Sequence, residues 1–293
     1  MSHLLIVARH DLDGHGGRYV TGRRDTTKGR PIMSTPILVT GGTGNIGRHT
    51  VPLLRAAGQE VRILSRHPRV PAPGVEYVTG DTVGAIGLAS ALAGVETVLH
   101  LAGGAKGDDV AARNLVAAAR DAGVRHIILI SVVGADRMPI GYFRMKAEAE
   151  RVLEESGIPW TTLRVAQLHD FAAPMVKALS AMRIAPRGLR FETVGAEAVA
   201  ARLAQLTLGA PSGRVSDLAG PEVQEIGDMV RAFDAARGRK RRQLPIRVPG
   251  AVGRAYRAGD NLAGDAAVRV GSTWAEYLAA ARTSPAASSV AAG

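Results

Sequence analysis

From residue 37 to residue 165 the chain repeats one rhythm. A short run of aliphatic or β-branched residues ends in a polar or glycine break, and apolar positions then recur every three or four residues. The short runs predict strands at Ile37–Thr40, Glu60–Leu64, Val75–Val78, Thr97–Leu101, His126–Ser131 and Trp160–Arg164. The longer stretches predict helices at Asn45–Ala57, Val83–Ala93, Asp109–Ala122 and Tyr142–Ser156, and later at Glu197–Leu208. Near-continuous apolar strands alternating with amphipathic helices imply right-handed strand–helix–strand units. The expected architecture is therefore α/β, a doubly wound parallel sheet covered on both faces. Beyond Ala166 the alternation loosens: helices are expected at Pro174–Met182, Val223–Ala236 and Ala251–Leu262, among short strands at Arg190–Thr193 and Arg214–Leu218. Residues 33–282 thus read as one domain, with a smaller C-terminal lobe, mainly 167–282, over the carboxyl ends of the strands where such sheets bind ligands.

The two ends depart from this rhythm. Residues 1–32 are glycine-rich and charged without a helical or strand period, and read as a disordered extension. Leu4-Leu5-Ile6-Val7 is too short for a signal sequence, Arg23-Arg24 lacks the apolar stretch that a twin-arginine signal needs, and Met33 is a natural start just ahead of the first strand. The segment 283–293, rich in Ser, Ala and Pro, reads as a disordered tail.

Composition narrows the chemistry. The 293 residues contain no cysteine, which excludes disulfides, thiolate metal sites and a cysteine nucleophile, and fits a cytoplasmic protein. No apolar run approaches the ~20 residues that span a bilayer, so no membrane partner is expected. Net charge is +11, with a dense basic run at Arg237, Arg239, Lys240, Arg241 and Arg242. No aromatic residue interleaves that run for base stacking, so it reads as a solvated loop rather than a nucleic-acid site. No His, Asp or Glu cluster has metal-ligand spacing, and no metal is expected.

The first strand runs into Thr40-Gly41-Gly42-Thr43-Gly44-Asn45-Ile46-Gly47, where glycines 41, 44 and 47 are spaced three apart. A strand, a tight turn and a helix N-terminus in that order form a pyrophosphate cradle. Gly41 lets the chain turn, Gly44 lets the backbone approach the phosphates, and Gly47 lets the helix pack on the strand. Gly41, Thr43, Gly44, Asn45, Ile46 and Gly47 are accordingly expected to hold a dinucleotide. NAD-selective sites usually carry an acid at the end of the second strand, yet this one ends Leu64-Ser65-Arg66-His67. A 2′-phosphate is instead met by the Arg66 guanidinium and the Ser65 hydroxyl, so NADP(H) is expected over NAD(H), unless Arg66 is only a loop residue facing solvent. Asp81, ending the third strand, reads either as an adenine contact or as a turn aspartate. Ala102-Gly103-Gly104 offers a side-chain-free surface for the ribose and pyrophosphate.

Ser131 ends the fifth strand, and eleven residues on come Tyr142 and Lys146, four apart and so on one helical face. A phenol titrates near pH ~10 in water; an ammonium beside it favours the phenolate, and a serine hydroxyl positions a substrate oxygen. Tyr142, Lys146 and Ser131 are the candidate catalytic residues, with Lys146 also expected to reach the nicotinamide ribose; Tyr142 equally suits a buried aromatic at a helix start. His169 reads as a substrate-orienting group or an idle loop histidine, and His100 as a satisfied core residue.

Thr40 to Gly47, Ser131-Val132-Val133-Gly134, Tyr142-Phe143-Arg144-Met145-Lys146 and Pro159 to Arg164 resemble the atypical short-chain dehydrogenase/reductases, and within them the NmrA-like group with its isoflavone reductase-like and predicted nucleotide-sugar epimerase-like members. The resemblance runs from Pro36 to about Leu278. It implies an NAD(P)-binding Rossmann fold, a C-terminal substrate lobe and the Ser131/Tyr142/Lys146 assignment. The resulting expectation is an NADP(H)-dependent oxidoreductase of a small carbonyl or quinone-like substrate. The alternatives are an NADP(H)-binding redox-sensing regulator without turnover and an epimerase or dehydratase. The Ser–Tyr interval is shorter than in true nucleotide-sugar epimerases. Oligomeric state is open.

Overall fold

The computed structural model describes residues 35–104 and 106–283. The expected extension at 1–32 and nearly all of the expected tail lie outside the described residues. In chain order the elements are β1 (Ile37–Thr40), α1 (Gly47–Ala56), β2 (Val61–Ser65), β3 (Val75–Thr79), α2 (Leu88–Leu92), β4 (Thr97–His100), α3 (Asp108–Asp121) and β5 (His126–Val132). Then follow α4 (Gly141–Glu154), β6 (Trp160–Val165), α5 (His169–Met182), β7 (Ile184–Pro186), β8 (Arg190–Phe191), α6 (Ala196–Leu208), β9 (Gly213–Arg214), β10 (Leu218–Ala219) and β11 (Gln224–Glu225). The chain continues with α7 (Ile226–Ala235), β12 (Leu244–Ile246), α8 (Gly250–Ala258), β13 (Val268–Arg269) and α9 (Trp274–Thr283).

Nine strands form the main sheet in the order β13-β10-β6-β5-β4-β1-β2-β3, with β9 also on β6. Every pairing in it is parallel. Alternating side chains feed two separate cores. Val39, Ile63, Leu99, Ile128 and Leu163 point to the face covered by α1 and α6. Leu38, Leu64, Val98, Ile127 and Leu129 point to the face that carries Leu92, Leu115 and Leu153 of α2, α3 and α4. Because β5 is buried along its whole length, its sequence shows no polar alternation. A third core, built around Val176, Phe191, Met229, Phe233 and Trp274, holds α5, α7 and α9 together.

Helix α5 begins at His169, ahead of the expected Pro174, α8 ends at Ala258 rather than Leu262, and the strand expected at Arg214–Leu218 is two short ones, β9 and β10. Two further differences are larger. The helix expected at Val83–Ala93 is only Leu88–Leu92, because Ala85 and Gly87 both take positive φ and residues 81–86 close a turn instead. Helix α9 was not anticipated. It starts on a capping box in which the Thr273 hydroxyl accepts the Glu276 N–H while Glu276 accepts the Thr273 N–H. Among the described residues no helix is long and apolar enough to cross a membrane.

The sheet reverses direction at β1, which pairs with β2 on one side and β4 on the other. Chains leaving the carboxyl ends of β1 and β4 therefore diverge to opposite faces and open a crevice between them, where such folds bind ligands.

Candidate active site

The floor of that crevice is the glycine turn. Gly41 adopts φ +71°, and a Cβ there would lie 2.6 Å from the Ala102 backbone nitrogen, so the turn passes directly against the end of β4. At Gly47 a Cβ would come within 2.3 Å of the Gly41 carbonyl oxygen and 2.5 Å of Gly42 Cα. Only glycine allows α1 to start this close to the strand. A Cβ on Gly44 would meet nothing nearer than the Gly41 oxygen at 3.2 Å, which leaves its outer side open to a ligand. The Arg48 N–H donates to the Gly44 carbonyl and those of His49 and Thr50 to the Ile46 carbonyl. Among the described residues the N–H groups left for an anion are therefore those of Asn45, Ile46 and Gly47, where the turn runs into α1.

Above the turn lies a cleft of about 550 Å³. Gly41, Thr43, Gly44, Asn45, Ile46, Gly47, Ser65, Arg66, Asp81, Ala102, Gly103 and Gly104, the residues expected to hold a cofactor, all line it. Lys146 does not line it directly; its Nζ lies behind Gly103, 3.0 Å from where a Cβ would sit. Three details refine the reading. The Ser65 hydroxyl donates to the His67 carbonyl at 2.8 Å and accepts the His67 N–H, so a local turn engages it rather than leaving it free for a phosphate. The Asp81 carboxylate accepts the N–H groups of Val83 and Gly84, each at 3.2 Å, which is its turn role. Exposed Arg66 is joined at the rim by His67 and Arg69, which the sequence reading passed over because they follow the strand end in an irregular loop.

Beneath the turn, the Thr40 hydroxyl accepts the Ala102 N–H at 3.2 Å and lies 2.6 Å from His100 Nδ1, an arrangement that suits the tautomer with hydrogen on Nε2. Burial, and secondarily the Lys146 charge, push the His100 imidazole down to about 4. It is a satisfied core histidine.

Tyr142 and Lys146 project from one face of α4. Lys146 is buried, with Nζ 2.8 Å from Asp108 Oδ2 and 3.4 Å from the Ile130 carbonyl that precedes Ser131. The contact joins two buried, oppositely charged groups but does not have the geometry of a hydrogen bond. Asp108 also accepts the Gly104 N–H at 2.9 Å. Ser131 is buried and its Oγ has no partner among the described residues, a polar atom that awaits one. The Tyr142 phenol is pushed up to about 12, by burial first and the Asp108 charge second. This corrects the expectation that Lys146 lowers it: Asp108, which sequence reasoning missed, neutralises the ammonium. Its pairing joins residues 38 positions apart, and only Asp108-Asp109 at a helix start hinted at it.

Tyr142 faces a second cleft of about 540 Å³, lined also by Lys106, Asp109, Gly141, Arg144, Met145 and Glu148. Lys106 borders both clefts. His169, by contrast, has a structural post. Its Nε2 hydrogen bonds to the Ser272 carbonyl at 3.0 Å and its ring stacks on Tyr277 with centroids 4.9 Å apart. The neighbouring Asp170 accepts from Asn45 Nδ2 at 2.7 Å and from the Tyr277 hydroxyl at 2.9 Å, tying the glycine turn to α9.

Residues 41–207 match the NAD(P)H-binding family model. The chain belongs to this family and is an NAD(P)H-dependent reductase. It is 33% identical over 195 residues to (4-alkanoyl-5-oxo-2,5-dihydrofuran-3-yl)methyl phosphate reductase of Streptomyces griseus, covering 64% of this chain and 68% of the relative. Similarity to the NAD(P)H azoreductase of Xenophilus azovorans is 29% over 222 residues, or 72% and 77% of the two chains. Among solved structures, the NADPH complex of an Escherichia coli NADPH-dependent quinone oxidoreductase superposes with a TM-score of 0.72 at 22% identity, over 83% of this chain and 99% of the other.

Proposed function

We propose that the protein uses NADPH to reduce a small carbonyl or quinone-like compound. The observation that carries this reading is the junction of the two clefts at Lys106, one floored by the glycine turn and the other faced by Tyr142. The glycine cradle, which a Cβ would fill, fits a dinucleotide pyrophosphate, and the Arg66, His67 and Arg69 rim suits a 2′-phosphate. When bound, the nicotinamide supplies the hydride. The chain's own residues handle the oxygen. Ser131 Oγ donates to the substrate oxygen, and Tyr142, protonated at neutral pH, delivers the proton. A phenol held near 12 is a weak acid, so transfer follows only as negative charge builds on that oxygen. Lys146, one helical turn away, stays paired with Asp108, so the phenolate regains its proton from solvent at the open mouth of the cleft. Names of relatives support the class: quinone oxidoreductase 2 of Escherichia coli is 33% identical over 135 residues, 44% of this chain and 47% of that protein.

The test is NADPH oxidation with a panel of quinones and aromatic aldehydes, in the native protein and in Tyr142→Phe. Turnover should fall by roughly 10²–10⁴ in the variant while NADPH affinity holds, the usual worth of a positioned acid. If no compound oxidises NADPH, or if the variant turns over as the native protein does, the assignment fails.

A further inference from the structure

The second cleft carries an electrostatic asymmetry that its composition hides. Its charged residues are Lys106, Asp109, Arg144 and Glu148, two of each sign. The acids are already engaged. Asp109 lies 2.5 Å from Arg113, and Glu148 lies 2.6 Å from Arg151 and 3.3 Å from Arg113. These guanidinium hydrogen bonds hold both carboxyls below the usual carboxylate range. Lys106 and Arg144 are exposed, and neither has a carboxylate within ion-pair distance among the described residues. Counting Glu155, which shares Arg151, four cations face three carboxylates around the cleft. Asp108 beneath it is cancelled by Lys146. The surplus is one positive charge, and the two cations without a carboxylate partner are Arg144, two residues beyond Tyr142 on α4, and Lys106, at the seam with the cofactor cleft.

The geometry points to a substrate with an anionic group, a carboxylate or a phosphate monoester, held by Arg144 and Lys106 while its carbonyl faces Tyr142. This rests on the reductase reading of the same cleft and adds the substrate's charge. The depression is open and shallow, so it would seat one end of a substrate while the rest stays at the mouth. A guanidinium offers a planar fork that matches either anion, and the ammonium adds a mobile point charge. Both groups are solvated at the mouth, so each contributes modestly and is screened by salt.

The experiment compares para-carboxybenzaldehyde with its methyl ester, which share the carbonyl and ring and differ in charge. Each is assayed with the full chain and NADPH. The acid should have a kcat/KM about tenfold above the ester, mostly through KM, and that ratio should shrink as salt rises. Arg144→Gln and Lys106→Gln should each cut the ratio about threefold or more, and the double variant should bring it to about one, while Arg144→Lys keeps part of it. Equal rates for acid and ester in the native protein, or a preference that survives in the double variant, overturn the proposal. Should neither aldehyde be reduced, calorimetric titration of the NADP-saturated protein decides. Binding of the acid that weakens in Arg144→Gln supports the anion site and removes only the carbonyl-reduction reading; no binding of the acid overturns the site itself.

Discussion

His100 gives a prediction whose size follows from one buried group. Its imidazole sits against the Thr40 hydroxyl under the glycine turn and titrates at about 4, against 6.5 for the ordinary group. Between these values the unfolded chain binds a proton at this site that the folded chain refuses. The folded pKa is depressed and the neutral form is the one favoured, so stability is full above the unfolded value and declines as pH falls through the window from 6.5 to 4. The gap of about 2.5 units corresponds to a loss of about 3 kcal/mol when both states are protonated, of which about 2 kcal/mol is gone by pH ~5. Carboxylates and the buried histidines His126 and His169 titrate in overlapping ranges, so the signal is a difference. Urea unfolding of the native protein and of His100→Asn, which keeps a polar atom near Thr40, should be run at pH ~7.5, ~6 and ~5. The native protein should lose about 2 kcal/mol more than the variant over that interval. Parallel pH–stability curves would refute the reasoning, since they would mean that the ring is protonated at no cost.

Three further outcomes are expected. Replacing Arg66 with Ala should erase most of a roughly tenfold NADPH-over-NADH preference, about 1.4 kcal/mol, read by fluorescence titration; equal native affinities would remove the rim from specificity. Glu150 chelates Arg164, with contacts of 2.6 and 2.8 Å in a buried pair that clamps α4 to β6. Glu150→Ala should therefore cost more in urea unfolding than Glu155→Ala at the surface, but less than the ~3–5 kcal/mol of a stranded buried charge, because Arg164 keeps Asp136 at 2.9 Å. Gly47→Ala, whose Cβ meets backbone at 2.3 Å, should lower both melting temperature and NADPH affinity, whereas Gly264→Ala, with open space around it, should do neither.

The sheet was legible because each of its first six strands is an apolar run closed by a break, and the observed ends differ from the expected ones by a residue or so. The helix after β3 is shorter than expected: Ala85 and Gly87 interrupt it, and helical spacing alone does not register a left-handed backbone. For α9 the signal was present in Thr273-Trp274-Ala275-Glu276 but went unused among alanine-rich sequence. The glycine turn was readable residue by residue, since backbone crowding selects glycine directly. What surrounds the phenol was not. Burial first, and then Asp108, which acts on Lys146 and Tyr142 across a distance in sequence that only the fold closes, turn the phenol's pKa upward instead of downward. The local engagement of Ser65 was hidden for a simpler reason: a short hydroxyl two residues from a carbonyl finds a partner in its own turn.

The Asp170 carboxylate sets a rule for anyone recombining this scaffold. One carboxylate grips Asn45 of the turn with one oxygen and Tyr277 of the last helix with the other. A chimera that imports another relative's C-terminal lobe to change substrate range crosses that grip. Unless the graft carries an acid at this position, the Asn45 amide is left without its acceptor beside the glycine turn, and without a phenol opposite it the acid loses its hold on the last helix. Modularity in this fold thus ends at a single side chain, and lobe exchange should be planned around residues 45, 170 and 277 as one unit.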